Sequence, residues 1–255
     1  MFDEIKEIIY KAGEIFKEGY FSSQKEIDLK GKKDLVTEYD IKVEKFLKEN
    51  LSKYDYNFVA EESFISTKIE NTFIIDPIDG TTNFAHQVPH CAISVAVYEK
   101  SHPKYGFVYN PVLEEFFYAK KGEGAYLNGE KIEVSKNDNF QRALIATGFP
   151  YSSAENEDDL NWVINKLHKI LPRCQDIRRL GSAALDLCYV ACGKYEGFYE
   201  INLKPWDVAA GMLIVEEAGG VTSNVEGSEY KFFEDKCIIA SNGFIHEKLV
   251  DLLEK

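Results

Sequence analysis

Phe73-Ile74-Ile75-Asp76-Pro77-Ile78-Asp79-Gly80-Thr81-Thr82-Asn83-Phe84 is the stretch on which the reading of this sequence turns. An apolar strand delivers two carboxylates, three positions apart, at its C-terminal end. Pro77 lacks a backbone donor and resists helix, so it helps fix a sharp turn. Gly80 permits close backbone approach, and Thr81 and Thr82 suit the start of a helix. Unpaired N–H groups at that helix start would face the same place as the carboxylates, forming a phosphate cradle. Hard oxygen ligands beside a phosphate cradle point to Mg²⁺. These residue types also suit a surface turn, so other acids must decide. Glu61-Glu62-Ser63 follows the apolar run Asn57-Phe58-Val59-Ala60, and Trp206-Asp207 opens the small-residue helix Val208-Ala209-Ala210-Gly211-Met212. Three acidic strand ends would then converge at one sheet edge, where α/β proteins place ligands.

Outward from this centre, Ile5, Ile8, Ile9, Ala12, Ile15 and Phe16 keep a helical period. A second helix is predicted from Thr37 to Leu51, with Asp40 three residues after Thr37 as a start signal. Strands are expected at 57–60, 72–75, 91–98, 105–109 and 115–119, and Asn128-Gly129 reads as a hairpin turn. A second half opens near 143–147. Its helices are expected at about 159–170, 182–192, 206–218 and 244–253. The order implies a layered α/β fold. Residues 1–140 would form an α+β half and 141–255 an α/β half, tightly packed as one unit.

The chain has 255 residues, of which 45% are hydrophobic, 13% aromatic and 29% charged, as in an ordinary globular protein. No apolar run reaches the roughly 20 residues that cross a bilayer, and Met1-Phe2-Asp3-Glu4 is unlike a signal peptide. A cytoplasmic protein with no membrane partner is expected. Forty-three acids against 30 bases leave a net charge of −13, which disfavours nucleic acid as a direct partner. Five cysteines without a C-x-x-C pair fit reduced, mostly buried thiols. His86 and His90 are separated by Pro89 and make a poor zinc pair. Gly122-Glu123-Gly124 reads as a turn, and neither a phosphate-binding G-x-x-x-x-G-K-[ST] loop nor a G-x-S-x-G elbow occurs.

Asp76-Pro77-Ile78-Asp79-Gly80-Thr81-Thr82-Asn83-Phe84, taken with Trp206-Asp207-Val208-Ala209-Ala210-Gly211, resembles the paired signatures of the inositol monophosphatase family. Glu61-Glu62-Ser63 upstream, and Asp34-Leu35-Val36-Thr37 leading to Asp40, strengthen the likeness. It extends from the first helix to Ala240-Ser241-Asn242. The resemblance implies an αβαβα five-layer sandwich with mixed sheets, a homodimer, and a Mg²⁺-dependent, lithium-sensitive phosphatase. It assigns Glu61, Asp76 and the Ile78 carbonyl to a first ion and Asp76, Asp79 and Asp207 to a second. A third, looser ion would share Glu61. Asp40 and Thr81 match the pair that holds the attacking water, and Lys30 falls in the family's active-site loop, here Lys30-Gly31-Lys32-Lys33.

By the same resemblance, Asp79, Gly80, Thr81 and Asp207 face the substrate. Gly181, Ser182 and Ala183 line its hydroxyl side, and Glu200 accepts its hydroxyl groups. Arg178, Arg179 and Lys204 suit either a second phosphate or neighbouring acids. The implied substrate is myo-inositol monophosphate. Fructose 1,6-bisphosphate and other phosphate monoesters stand as alternatives. Bacterial members that resemble this chain also include regulatory, RNA-polymerase-associated proteins, so a regulatory protein partner is a further expectation.

Overall fold

In the computed structural model, which describes residues 1–29, 35–64 and 67–254, the strand Thr72–Asp79 is buried at every position. Phe73 and Ile75 enter one apolar cluster and Ile74 another, because successive side chains of a strand leave on opposite faces. The strand is therefore covered on both sides.

The strands, numbered in chain order, are β1 (Ile27–Leu29), β2 (Leu35–Thr37), β3 (Asn57–Ala60), β4 (Thr72–Asp79), β5 (Ala92–Glu99), β6 (His102–Asn110) and β7 (Glu115–Lys120). They continue with β8 (Gly124–Leu127), β9 (Glu130–Ile132), β10 (Leu144–Thr147), β11 (Asp176–Arg178), β12 (Gly197–Ile201), β13 (Val221–Ser223) and β14 (Cys237–Ser241). The α-helices are α1 (Phe2–Phe21), α2 (Glu38–Leu51), α3 (Thr81–Ala85), α4 (Glu157–Ile170), α5 (Ala183–Ala191), α6 (Pro205–Glu217) and α7 (His246–Glu254).

These elements stack in five layers. Helices α1 and α2 lay Ile5, Ile9, Phe16, Val43 and Leu47 onto Phe73, Ile75, Val95 and Phe107 of a seven-stranded sheet. Its order is β3-β4-β5-β6-β7-β8-β9, parallel only between β3 and β4. Helices α5 and α6 form the middle layer and are buried nearly all round. Such helices have no polar face to give to water. Beyond them lies a five-stranded sheet of order β11-β10-β12-β14-β13, whose outer face packs Ile145, Tyr199 and Ile239 against Ile170, Leu249 and Leu253 of α4 and α7. This is the αβαβα sandwich with mixed sheets expected from the sequence.

Local chemistry explains several boundaries. Helix α2 starts with a capping box in which Thr37 Oγ1 accepts from the Tyr39 N–H while the Asp40 carboxylate accepts from the Thr37 N–H. Asn128 and Gly129 both have positive φ (51° and 93°) and form the two-residue turn between β8 and β9. Gly122 and Gly124 lie at the β7–β8 turn. All five cysteines are free, and Cys91, Cys188 and Cys237 are buried. Among the described residues, no helix is long and apolar enough to cross a membrane.

The boundary that differs most from expectation is the end of β4. The strand expected at 72–75 continues to Asp79, with its register against β5 shifting between Asp76 and Asp79. Asp76 stands opposite Ser94 and Asp79 opposite Ala92, so β4 holds one extra residue. Pro77 falls inside that irregularity, where a missing N–H breaks no ladder bond.

The middle layer fits only because two glycines remove side chains. A Cβ on Gly106 of β6 would lie 2.7 Å from the backbone oxygen of Ala210, and one on Gly211 would meet Leu187 at 2.6 Å. Gly106→Ala is expected to destabilise the protein by about 1–3 kcal/mol, because the obstacle is helix backbone. Urea unfolding of the variant against the wild type measures this.

Candidate active site

Four chain segments converge where β4 ends. The Glu61 N–H donates to the Ile75 carbonyl at 3.2 Å, which sets the end of β3 beside Asp76. The Asp76 Oδ1 accepts from the Ile78 N–H at 3.0 Å and steadies the irregular strand end. Asp79 presents Oδ2 to the start of α5, accepting from Ser182 Oγ and from the Ala184 N–H at 2.8 Å. Asp207 stands in the first turn of α6, with Oδ2 accepting from the Lys204 N–H at 2.6 Å. Carboxylate oxygens of Asp76, Asp79 and Asp207 all lie within 4.8 Å of one another. Glu61 lines the same cavity and bears on Asp76.

Gly80 links β4 to α3 at φ +86°, and a Cβ there would stand 3.0 Å from the Gly181 oxygen and 3.1 Å from that of His90. Both its conformation and its surroundings demand glycine. Asn83 Nδ2, on α3, donates to the His90 and Leu180 carbonyls at 2.7 Å each. It thereby stitches the turn at Gly80 to the segment before α5. Thr81 Oγ1 lies 3.1 Å from Asp40 Oδ1 and 3.0 Å from the Ile78 carbonyl. Asp40 is fully buried, and its Oδ2 is already occupied by the Thr37 N–H and hydroxyl.

The cavity above this floor has a volume of about 830 Å³. The Gly80, Thr81, Gly181, Ala183, Glu200 and Asp207 side of it is the one expected from the sequence.

The sequence profile of the inositol monophosphatase family matches residues 2–255. The chain belongs to that family. A 36% identical relative over 89% of this chain and 90% of its own length is the inositol-1-monophosphatase of Caulobacter vibrioides. The Nus factor SuhB of Salmonella typhimurium is 38% identical over 91% of this chain and 87% of its own. The solved structure of the Thermotoga maritima IMPase superposes with a TM-score of 0.88 at 36% identity, covering 98% of this chain and 94% of that one. This inositol monophosphatase family member is therefore a phosphatase.

Its acidic centre fits a divalent cation. Burial and then the neighbouring charges of Glu61, Asp79 and Asp207 raise the Asp76 pKa well above the usual carboxylate range. Asp207 is raised by burial and by Asp79. Burial pushes Asp79 up to about 6 despite the bonds from Ser182 and Ala184. Among the described residues the grouped donors are all carboxylates, a hard oxygen set suited to Mg²⁺ rather than to softer metals. Glu200 is pushed up to about 8, first by burial and then by Asp186, with Arg179 opposing.

Two residues of the predicted set stand behind the cavity wall instead of on it. Ser182 is 1% exposed and acts on Asp79 while capping α5. Asp40 reaches the cavity through Thr81. Lys30-Gly31-Lys32-Lys33 and Asp34 lie outside the described residues. Arg178 pairs with Asp176 at 2.6 Å on the surface, whereas Arg179 and Lys204 line the cavity. Sequence reasoning missed Gly148, where a Cβ would stand 2.0 Å from the Glu200 carboxylate. Its only signal was a glycine directly after β10.

Two outcomes are expected. Gly148→Ala displaces Glu200 and weakens substrate binding by about tenfold or more, read as a rise in KM. In the metal-free protein, the raised pKa values of Asp40 (about 6) and Asp79 (about 6) place their stability contribution below about pH 4. It is lost as pH climbs through about 6. A divalent cation would bind the deprotonated site, so the rise in melting temperature on adding Mg²⁺ is expected to be larger at pH 7.5 than at pH 5, which paired thermal melts would measure.

Proposed function

We propose that this chain is a Mg²⁺-dependent phosphomonoesterase that converts myo-inositol monophosphate to inositol and phosphate. The observation that carries the reading is the meeting of Asp76, Asp79 and Asp207 oxygens within 4.8 Å, next to the Thr81–Asp40 pair. Two to three ions would be held, by Glu61, Asp76 and the Ile78 carbonyl, by Asp76, Asp79 and Asp207, and loosely through Glu61. When bound, Mg²⁺ acidifies water and offsets charge on the phosphoryl and leaving oxygens.

The chain's own groups supply orientation. Were the Ile78 carbonyl to hold a cation, the single Thr81 hydroxyl proton would go to Asp40 Oδ1, leaving the Thr81 oxygen to accept from the attacking water. Asp40 cannot rotate away, because Thr37 holds its other oxygen. Phosphate oxygens rest on the Gly80 and Thr81 N–H groups. Water's oxygen joins phosphorus as the ester P–O bond breaks. Its protons end on phosphate and on the inositol hydroxyl. Glu200, buried and pushed up to about 8 in the metal-free chain, accepts hydrogen bonds from ring hydroxyls, with Gly181 and Ala183 on the same cavity wall. The site draws on both 1–140 and 141–255, which this reading takes as one catalytic unit.

Two further readings each have one observation behind them. Arg179 and Lys204 on the cavity wall favour a bisphosphate such as fructose 1,6-bisphosphate. The 38% identity to a Nus factor SuhB favours a regulatory protein partner. We also place the protein in the cytoplasm, as a homodimer without direct nucleic-acid binding.

Phosphate release should be measured with myo-inositol 1-phosphate, fructose 1,6-bisphosphate and a nucleotide 2′-phosphate, with Mg²⁺, with EDTA and with Li⁺. Highest kcat/KM on the inositol ester, abolition by EDTA and inhibition by Li⁺ are expected. Asp79→Asn should lower kcat by about three orders of magnitude or more. Release that survives EDTA, or a near-normal Asp79→Asn, would refute the metal-dependent reading. Partner capture that persists in Asp76→Asn would separate a regulatory role from the chemistry.

A further inference from the structure

The far wall of the cavity is assembled from three separate segments. Ser152 comes from a 3₁₀ turn (Tyr151–Ala154), Asn202 follows β12, and Lys236 precedes β14. All three meet one carboxylate that does not itself line the cavity, that of Asp159 in the first turn of α4. Its Oδ1 accepts from Lys236 Nζ at 2.6 Å. Its Oδ2 accepts from Ser152 Oγ at 2.5 Å and from Asn202 Nδ2 at 2.7 Å. Asn202 Nδ2 also reaches Ser152 Oγ at 2.9 Å, and the Asn202 N–H donates to the Lys236 carbonyl at 2.8 Å.

We propose that Asp159 is a positioning residue that fixes this far wall and thereby sets which leaving group the phosphatase accepts. The inference rests on the phosphatase reading of the cavity. Three features separate it from ordinary packing. Asp159 is only 2% exposed, yet every partner it holds is a wall residue. Asn202 keeps a left-handed backbone (φ 66°), a conformation that asparagine adopts more readily than most residues with a side chain, and its amide is anchored to Asp159. A buried carboxylate persists only when its charge is paired and its lone pairs are used, and here each pairing pins a different segment. Asp76 and Asp79 lie on β4, outside the three wall segments, and the Asp207 carboxylate is tied to the Lys204 N–H at the start of α6, so a shift confined to Ser152, Asn202 and Lys236 leaves the acids in place. Loss of Asp159 therefore acts on the fit of the alcohol part of the ester, and the phosphoryl chemistry stays.

The test compares wild type, Asp159→Asn and Asp159→Ala on myo-inositol 1-phosphate and on glycerol 2-phosphate, whose smaller leaving group does not span the cavity. Each variant is also followed by hydrogen exchange across 201–203 and 231–236. We expect KM for the inositol ester to rise by about tenfold while kcat on both esters, and KM for the glycerol ester, stay within about threefold. Exchange in the two segments speeds up in both variants. An equal fall of kcat on both esters, or unchanged KM with unchanged exchange, would overturn the proposal. A wild type that hydrolyses neither ester removes the phosphatase reading itself. In that case unaltered exchange in Asp159→Asn still refutes the positioning role, and faster exchange upholds it.

Discussion

Asp79 belongs to β4, but the groups that hold it belong to α5. One of its oxygens is fixed by the hydroxyl of Ser182, the N-cap of α5, and by the Ala184 N–H, a donor of the kind that the first turn of any helix leaves without an internal partner. The bond spans more than one hundred residues and joins the seven-stranded sheet to the middle layer. With that oxygen fixed, the Asp79 carboxylate is held within 4.8 Å of oxygens of Asp76 and Asp207. Gly80 and Gly181, packed together nearby, keep the turn close enough for this to happen. The site is a junction between layers, and the fold's main task near it is to bring α5 and α6 end-on to β4.

Such a junction is costly without a cation. Several carboxylates share a buried space, and burial plus mutual repulsion push their pKa values upward. Selection for stability alone would replace them with apolar groups. A bound divalent ion would convert the repulsion into attraction, which is why this all-carboxylate donor set suits one. Asp40 follows a different logic. It too is pushed up by burial, to about 6, but three donors surround it, from Thr37 and Thr81. Its hydrogen-bond partners are complete within the chain, which suits the orienting role proposed for it.

Legibility in the sequence followed the range of each interaction. The Thr37–Asp40 capping box is local, and its spacing announced the start of α2. Asn128-Gly129 announced its hairpin for the same reason, since the backbone angles are set by the two residues themselves. The contact from Asp40 to Thr81 crosses 41 positions, and only resemblance to the inositol monophosphatase family indicated it. Gly148 carries no local mark, because its necessity comes from the Glu200 carboxylate packed against it. The Asp159 network joins segments that no periodicity connects. The end of β4 was misplaced because proline ordinarily terminates a central strand, and only pairing with β5 reveals that the strand goes on.

That extra residue in β4 has a geometric outcome. In a regular strand, positions three apart look in opposite directions. Ile75 and Ile78 nevertheless both enter the cluster beneath α1 and α2, so the alternation is reset between them and Asp79 emerges on the same side as Asp76. The distance between the two acids along the chain is thus locked to the defect that separates them. A strand with one residue fewer or one more at this point would keep its hydrogen bonds yet divide the pair, sending one carboxylate into a dry layer of phenylalanine and isoleucine.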